Sequence, residues 1–203
     1  SEVCLKKVIN KKNFYKLILK ISNKEKIFLI KKNFISYIPN ILAATAILTN
    51  FIKIEKLHSK LFFNLKLPSG RGDLSKLNVN DKVINLIDES YNSNPLSLKF
   101  SIDNFNSLYL KDSKKYILLG DMLELGKFSK KLHLDVAKII NRSRIDKVYV
   151  YGSKIRDTFN KIKTQKKGKI FYKKNKIINF MKHEIPNNTY LMVKGSNATG
   201  LKD

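Results

Sequence analysis

From about residue 80 onward the chain alternates short apolar runs with stretches whose apolar residues recur at helical spacing. The runs are 83–87, 116–119, 147–151, 169–172 and 190–193. Between them Leu98, Ile102 and Phe105 share a helical face, as do Leu132, Val136 and Ile139 or Ile140. Ile155, Phe159 and Ile162 form a third face, and Ile177, Phe180, Met181 and Ile185 a fourth. Strand–helix alternation of this kind predicts an α/β fold with a mostly parallel, Rossmann-like sheet. Three of the predicted strands run out into polar turns. They are 88–95 (Asp-Glu-Ser-Tyr-Asn-Ser-Asn-Pro), 120–126 (Gly-Asp-Met-Leu-Glu-Leu-Gly) and 194–196 (Lys-Gly-Ser). Ligands of open α/β sheets bind at strand ends, so these segments predict a single site.

The front of the chain has a different pattern. Residues 2–34 predict short strands: Tyr15, Leu17, Leu19 and Ile21 alternate, 22–25 turns the chain, and 27–30 returns. Pro39 and Asn40 open a helix with Ile41, Ala44, Leu48 and Ile52 on one face. A second helix and a loop are expected within 53–68, and 67–72 (Leu-Pro-Ser-Gly-Arg-Gly) is a clear break.

The formal net charge of +25 points toward polyanions, but only four of 41 basic residues are Arg. Arg is the better planar reader of bases and phosphates. The lysines are scattered from end to end and mixed with Asn and Ile, so a solvated basic surface is expected and nucleic acid is not the expected partner. With 43% hydrophobic residues the chain can bury a core. The single Cys4 excludes an internal disulfide and a cysteine zinc site, which fits a cytoplasmic setting. No apolar run reaches the about 18–20 residues of a membrane span. The chain opens without Met and stops abruptly, which reads as a fragment of a longer protein.

Each motif also has a plain structural reading. Asn and Ser in 88–95 cap helices. Asp121 and Glu124 can be surface acids of a loop. His133 on a helix reads as a surface or satisfied residue, and His58 and His183 have no partners at metal-ligand spacing. Residues 195–200 (Gly-Ser-Asn-Ala-Thr-Gly) imitate the start of a phosphate loop. The Lys and hydroxyl required after the second Gly are replaced by Leu201, Lys202 and Asp203. Lys194 and Ser196 could still meet an anion.

In their order along the chain, these segments resemble the Mur ligases, most closely the branch that adds D-alanyl-D-alanine. Pro39 and Asn40, followed by Ile-Leu-Ala-Ala-Thr-Ala, resemble the family's His-Asn helix start. Gly70, Arg71 and Gly72 resemble its Gly-Arg-Gly turn. Residues 88–95 resemble its Asp-(Asp/Glu)-Ser-Tyr-Asn-Ala-Asn-Pro signature, 120–126 its Gly-Asp-Met-x-Glu-Leu-Gly, and 194–196 the start of its Lys-Gly-Ser-Arg. The resemblance implies the end of a central ATPase domain over 1–75, then a Rossmann-like C-terminal domain over 76–203, truncated at its end.

The resemblance also implies an ATP-dependent ligase of peptidoglycan precursor synthesis. ATP phosphorylates the terminal carboxylate of UDP-N-acetylmuramoyl-tripeptide, and the amine of D-alanyl-D-alanine attacks the acyl phosphate, with Mg²⁺ bridging phosphate oxygens. A cytoplasmic monomer is implied. On nucleotide binding the resemblance implies Asn40 at the adenine, Arg71 at phosphate or ribose, and Asp88 and Glu89 near the ribose. Asn92, Asn94 and Ser196 are implied at the dipeptide end or its closure contacts, and Lys194 is implied as substrate-binding through an anionic group in the closed state. Pro39 replaces the family's His, and Asn197 stands where it has Arg. The phosphate loop, the magnesium ligands and the carbamylated Lys are expected before Ser1, so no catalytic residue and no metal ligand is assigned here. A sister ligase using another amino acid, a non-catalytic relative and a basic nucleic-acid-binding module are the alternatives.

Overall fold

The computed structural model describes residues 2–66, 69–108, 110 and 112–201. Leu67 and Pro68 of the predicted break, and Lys202 and Asp203 after the imitation phosphate loop, lie outside the described residues. The chain divides into two compact units after Lys66, ahead of the boundary at 75 implied by the resemblance.

The first unit carries the antiparallel sheet β1 (Val3–Asn10), β2 (Phe14–Ile21) and β3 (Lys24–Lys31), in that order. Period-two alternation buries Leu17, Leu19 and Ile21 of β2 and Phe28 and Ile30 of β3 completely. Ser22 turns β2 into β3 with a positive φ of 50°. Ile21 then faces Lys24, so the turn is tighter than the four residues expected. The helix α1 (Ile38–Leu48) takes Pro39 in its first turn, where a missing N–H costs nothing. It buries Ile41 and Thr45 and ends at Leu48, so Ile52 lies beyond it and is exposed. Among the described residues, 53–66 hold a short 3-10 turn at Ile54–Lys56 instead of the expected second helix.

The second unit is a six-stranded sheet. Its strands are β4 (Asp73–Val79), β5 (Lys82–Glu89), β6 (Lys115–Gly120), β7 (Lys147–Tyr151), β8 (Lys167–Phe171) and β9 (Thr189–Lys194). Their order is β4-β5-β9-β6-β7-β8, and every pairing is parallel except the hairpin β4–β5. Edge strand β4 was not anticipated. Its residues do not alternate cleanly, and its turn, Asn80-Asp81, lacks Gly although both residues have positive φ.

Four helices connect the parallel strands: α2 (Pro95–Ser107), α3 (Ser129–Arg142), α4 (Ile155–Lys161) and α5 (Lys174–Asn179), the last running on into a π turn at Phe180–Glu184. Alternation splits the sheet's side chains. Ile117, Leu119, Val148, Val150 and Met192 pack with α2, α3 and α4. Tyr116, Leu118, Tyr149, Leu191 and Val193 pack with Ile177 of α5 and Phe180. The chain runs outward from β6 to β8 and returns to β9. With right-handed crossovers, that reversal puts α5 on the opposite face.

Candidate functional site

Strand β9 lies between β5 and β6, so their carboxyl ends are neighbours. Glu89 of β5 and Leu119 of β6 are both register partners of Lys194. The three polar segments therefore leave the sheet side by side. Tyr91, Asn92, Leu123, Glu124, Ser196 and Asn197 line a cleft of about 340 Å³ there. A second concavity, about 690 Å³, lies elsewhere, among Lys127, Lys130, Lys131, Lys138 and Lys161. It holds a single acid, Asp135, paired with Lys138 at 2.7 Å, so the strand-end cleft is the better candidate on chemistry.

Lys194 is buried and its Nζ donates to Asn92 O at 3.0 Å and sits 3.6 Å from Glu89 Oε2. Burial pushes its ammonium below the usual lysine range, and the Glu89 charge pulls it part of the way back. Burial pushes the Glu89 carboxyl up, opposed by the Lys194 charge and a hydrogen bond from Ser101. The pair ties the 89–92 loop to the end of β9. Asp88 holds the same loop from within: its Oδ1 accepts from Ser90 N at 2.9 Å and Ser90 Oγ at 2.5 Å.

Asn94 is the N-cap of α2. Its Oδ1 accepts from Ser97 N at 2.8 Å, and Ser97 Oγ accepts from Asn94 N at 3.1 Å. Asn92 is exposed at the cleft mouth, and its Oδ1 accepts from Ser93 N at 2.8 Å. Ser196 is buried and joins all three segments: its Oγ accepts from Leu123 N at 2.9 Å and donates to Ser93 O at 3.3 Å, while its N donates to Asp121 O at 3.0 Å. Ser93 Oγ is buried without a hydrogen-bond partner among the described residues.

The acids of 120–126 have separate duties. Asp121 is 8% exposed and accepts from the N–H groups of Ser153, Lys154 and Ile155, which caps the start of α4. Gly152, at φ +134°, makes room for it; a Cβ there would lie 2.3 Å from Asp121 Oδ1. Glu124 is exposed on the cleft wall. His133 is fully buried, accepting from Met122 N through Nε2 (3.1 Å) and donating through Nδ1 to Ser129 O (2.8 Å). Those two bonds suit a neutral imidazole and a structural role.

Upstream, the Gly70–Gly72 turn docks on the 88–91 loop. Tyr91 N donates to Gly70 O at 3.1 Å and Gly72 N to Asp88 O at 2.7 Å. The Arg71 guanidinium lies 4.2 Å from the centre of the Tyr91 ring. Sequence reasoning passed over Tyr91 as one phenol among polar neighbours; its pairing with Arg71 depends on the β4–β5 register. Arg71, Asp88, Glu89, Asn92, Asn94, Lys194 and Ser196 thus sit at one end of the second unit. Asn40 is exposed on the first turn of α1 in the first unit. Among the described residues no group of three His, Cys, Asp or Glu could hold a metal ion. No described helix is long and apolar enough to cross a membrane.

Several known proteins are similar to this chain. The UDP-N-acetylmuramoyl-tripeptide--D-alanyl-D-alanine ligase of Bacillus subtilis (strain 168) is 36% identical over 88 residues, 43% of this chain and 18% of that protein. A crystal structure of MurF from Acinetobacter baumannii superposes with a TM-score of 0.76 at 18% identity, covering 98% of this chain and 43% of that one. MurF ligase from Thermotoga maritima in complex with ADP gives a TM-score of 0.67 at 19% identity, covering 97% and 43%. The chain spans less than half the length of each of these proteins. The family described as "Mur ligase, glutamate ligase domain" matches residues 75–197, which is most of the chain and includes all three strand-end segments; the chain belongs to the Mur ligase family.

Proposed function

We propose that this chain is part of an ATP-dependent ligase that joins D-alanyl-D-alanine to UDP-N-acetylmuramoyl-tripeptide through an acyl phosphate. The observation that carries the reading is the convergence of 88–95, 120–126 and 194–196 on one cleft. Those segments, in that order, resemble the D-alanyl-D-alanine-adding branch, and the B. subtilis relative bears that enzyme's name. The ADP bound by the T. maritima relative supports a nucleotide as co-substrate.

In this reading residues 1–75 are the rear of a central ATPase domain and 76–203 the C-terminal domain. Asn40 contacts adenine, Arg71 phosphate or ribose, and Asp88 and Glu89 the ribose. The Asn92 amide, exposed at the cleft, can donate to and accept from a dipeptide. Lys194, Ser196 and Asn94 hold the loops around the cleft through the hydrogen bonds described above, and in this reading they contribute to the substrate end by supporting its shape. Magnesium would neutralise phosphate oxygens in such a reaction, with ligands from outside the described residues.

The test is phosphate release by the full-length protein that contains this chain. It should require ATP, the UDP-linked tripeptide and D-alanyl-D-alanine together. Release supported equally by a single amino acid in place of the dipeptide would point to a sister ligase. Release without any amine acceptor would end the ligase reading. The 203 residues alone should show no ligation, because no phosphate-binding loop lies among them.

A further inference from the structure

We infer that Tyr91 is a positioning residue that aims Arg71 by stacking beneath its guanidinium. The inference rests on the reading of Arg71 as a nucleotide contact. Three observations carry it. The guanidinium carbon is 4.2 Å from the ring centre, within reach of the ring's negative face. The backbones on either side are pinned, Tyr91 N to Gly70 O and Gly72 N to Asp88 O, so ring and cation cannot drift apart independently. Gly70 permits this approach: its φ is +80°, and a Cβ there would lie 2.9 Å from Tyr91 N.

The stack also places the Arg71 charge close enough to Lys194 to push that ammonium's pKa further down. Arg71 thus belongs electrically to the strand ends, and the ring decides where its planar fork points. A long side chain loses considerable rotamer freedom when it meets a phosphate or ribose oxygen. Holding it on a ring beforehand removes part of that loss at the moment of binding. The effect falls on nucleotide affinity, because the contact is made alike in the ground state and the transition state.

Two measurements test this. In the 203-residue chain, ring current should shift the Arg71 side-chain protons upfield in the wild type and in Tyr91→Phe, and the shift should vanish in Tyr91→Leu. In the full-length ligase, Tyr91→Leu should raise KM for ATP about fivefold at unchanged kcat, and Tyr91→Phe should behave as wild type. No upfield shift in the wild-type chain overturns the inference. So does an unchanged KM in Tyr91→Leu, or a fall in kcat alone. If Arg71→Ala raises KM while Tyr91→Leu does not, the inference fails and the nucleotide reading of Arg71 stands. If neither variant changes KM, the reading of Arg71 fails and takes the inference with it.

Discussion

Ser93 stands where the family signature has Ala, and its hydroxyl is buried without a partner among the described residues. A site shaped for a methyl group strands a hydroxyl, and an unmet buried polar group costs about 1–3 kcal/mol. Ser93→Ala should therefore stabilise the chain by about 1 kcal/mol in urea unfolding. Lys194 is the opposite case. Its removal leaves the Glu89 carboxylate largely buried without its cation, so Lys194→Met should lose about 2–3 kcal/mol near pH 7. Glu89 already titrates above the usual carboxylate range through burial, and losing Lys194 raises it further. A raised folded pKa means that protonation favours the fold: that stability is fully present below the unfolded pKa and is lost as pH rises through the folded one. The deficit of Lys194→Met should therefore shrink as pH falls toward about 4, and a pH-independent deficit would contradict the pairing.

Helix α2 shows how local chemistry can be read early. Asn94, Pro95 and Ser97 announce a helix start, and the structure places a reciprocal capping box there. Asn94→Ala should cost about 1 kcal/mol, with faster amide exchange confined to the first turn of α2. Strand β4 shows the limit. Its pattern, Asp-Leu-Ser-Lys-Leu-Asn-Val, buries little, because an edge strand faces a neighbour on one side only. It becomes a strand because β5 offers a partner, with Asp73 opposite Asp88. Among the described residues 53–66 the expected second helix is replaced by turns for a related reason: apolar residues there, such as Leu57 and Phe62, are buried without helical periodicity.

On the scale of the whole molecule, the +25 charge is carried chiefly by exposed lysines, and five of them rim the broad concavity beside α3. Point charges without a planar reader attract phosphate backbones weakly and without regard to sequence. Fluorescence anisotropy should detect DNA or RNA binding only at low salt, with loss by about 0.15 M. Tight binding that survives such salt would favour the nucleic-acid alternative.

What the amino-acid order determined by itself was periodic and local: the five parallel strands, the helices between them, the α2 cap and the three polar strand ends. Hydrophobic period and turn chemistry act within a few residues and can be read without the fold. What only the tertiary structure decided was neighbourhood. The return of β9 between β5 and β6 brings Lys194 to Glu89 across more than a hundred residues of chain, with β5–β9 register supplying the contact. It also turned Asp121 from a loop acid into the cap of α4, and Tyr91 from a loop phenol into the platform under Arg71. Sheet order and close packing govern those roles, and neither leaves a periodic trace in the sequence.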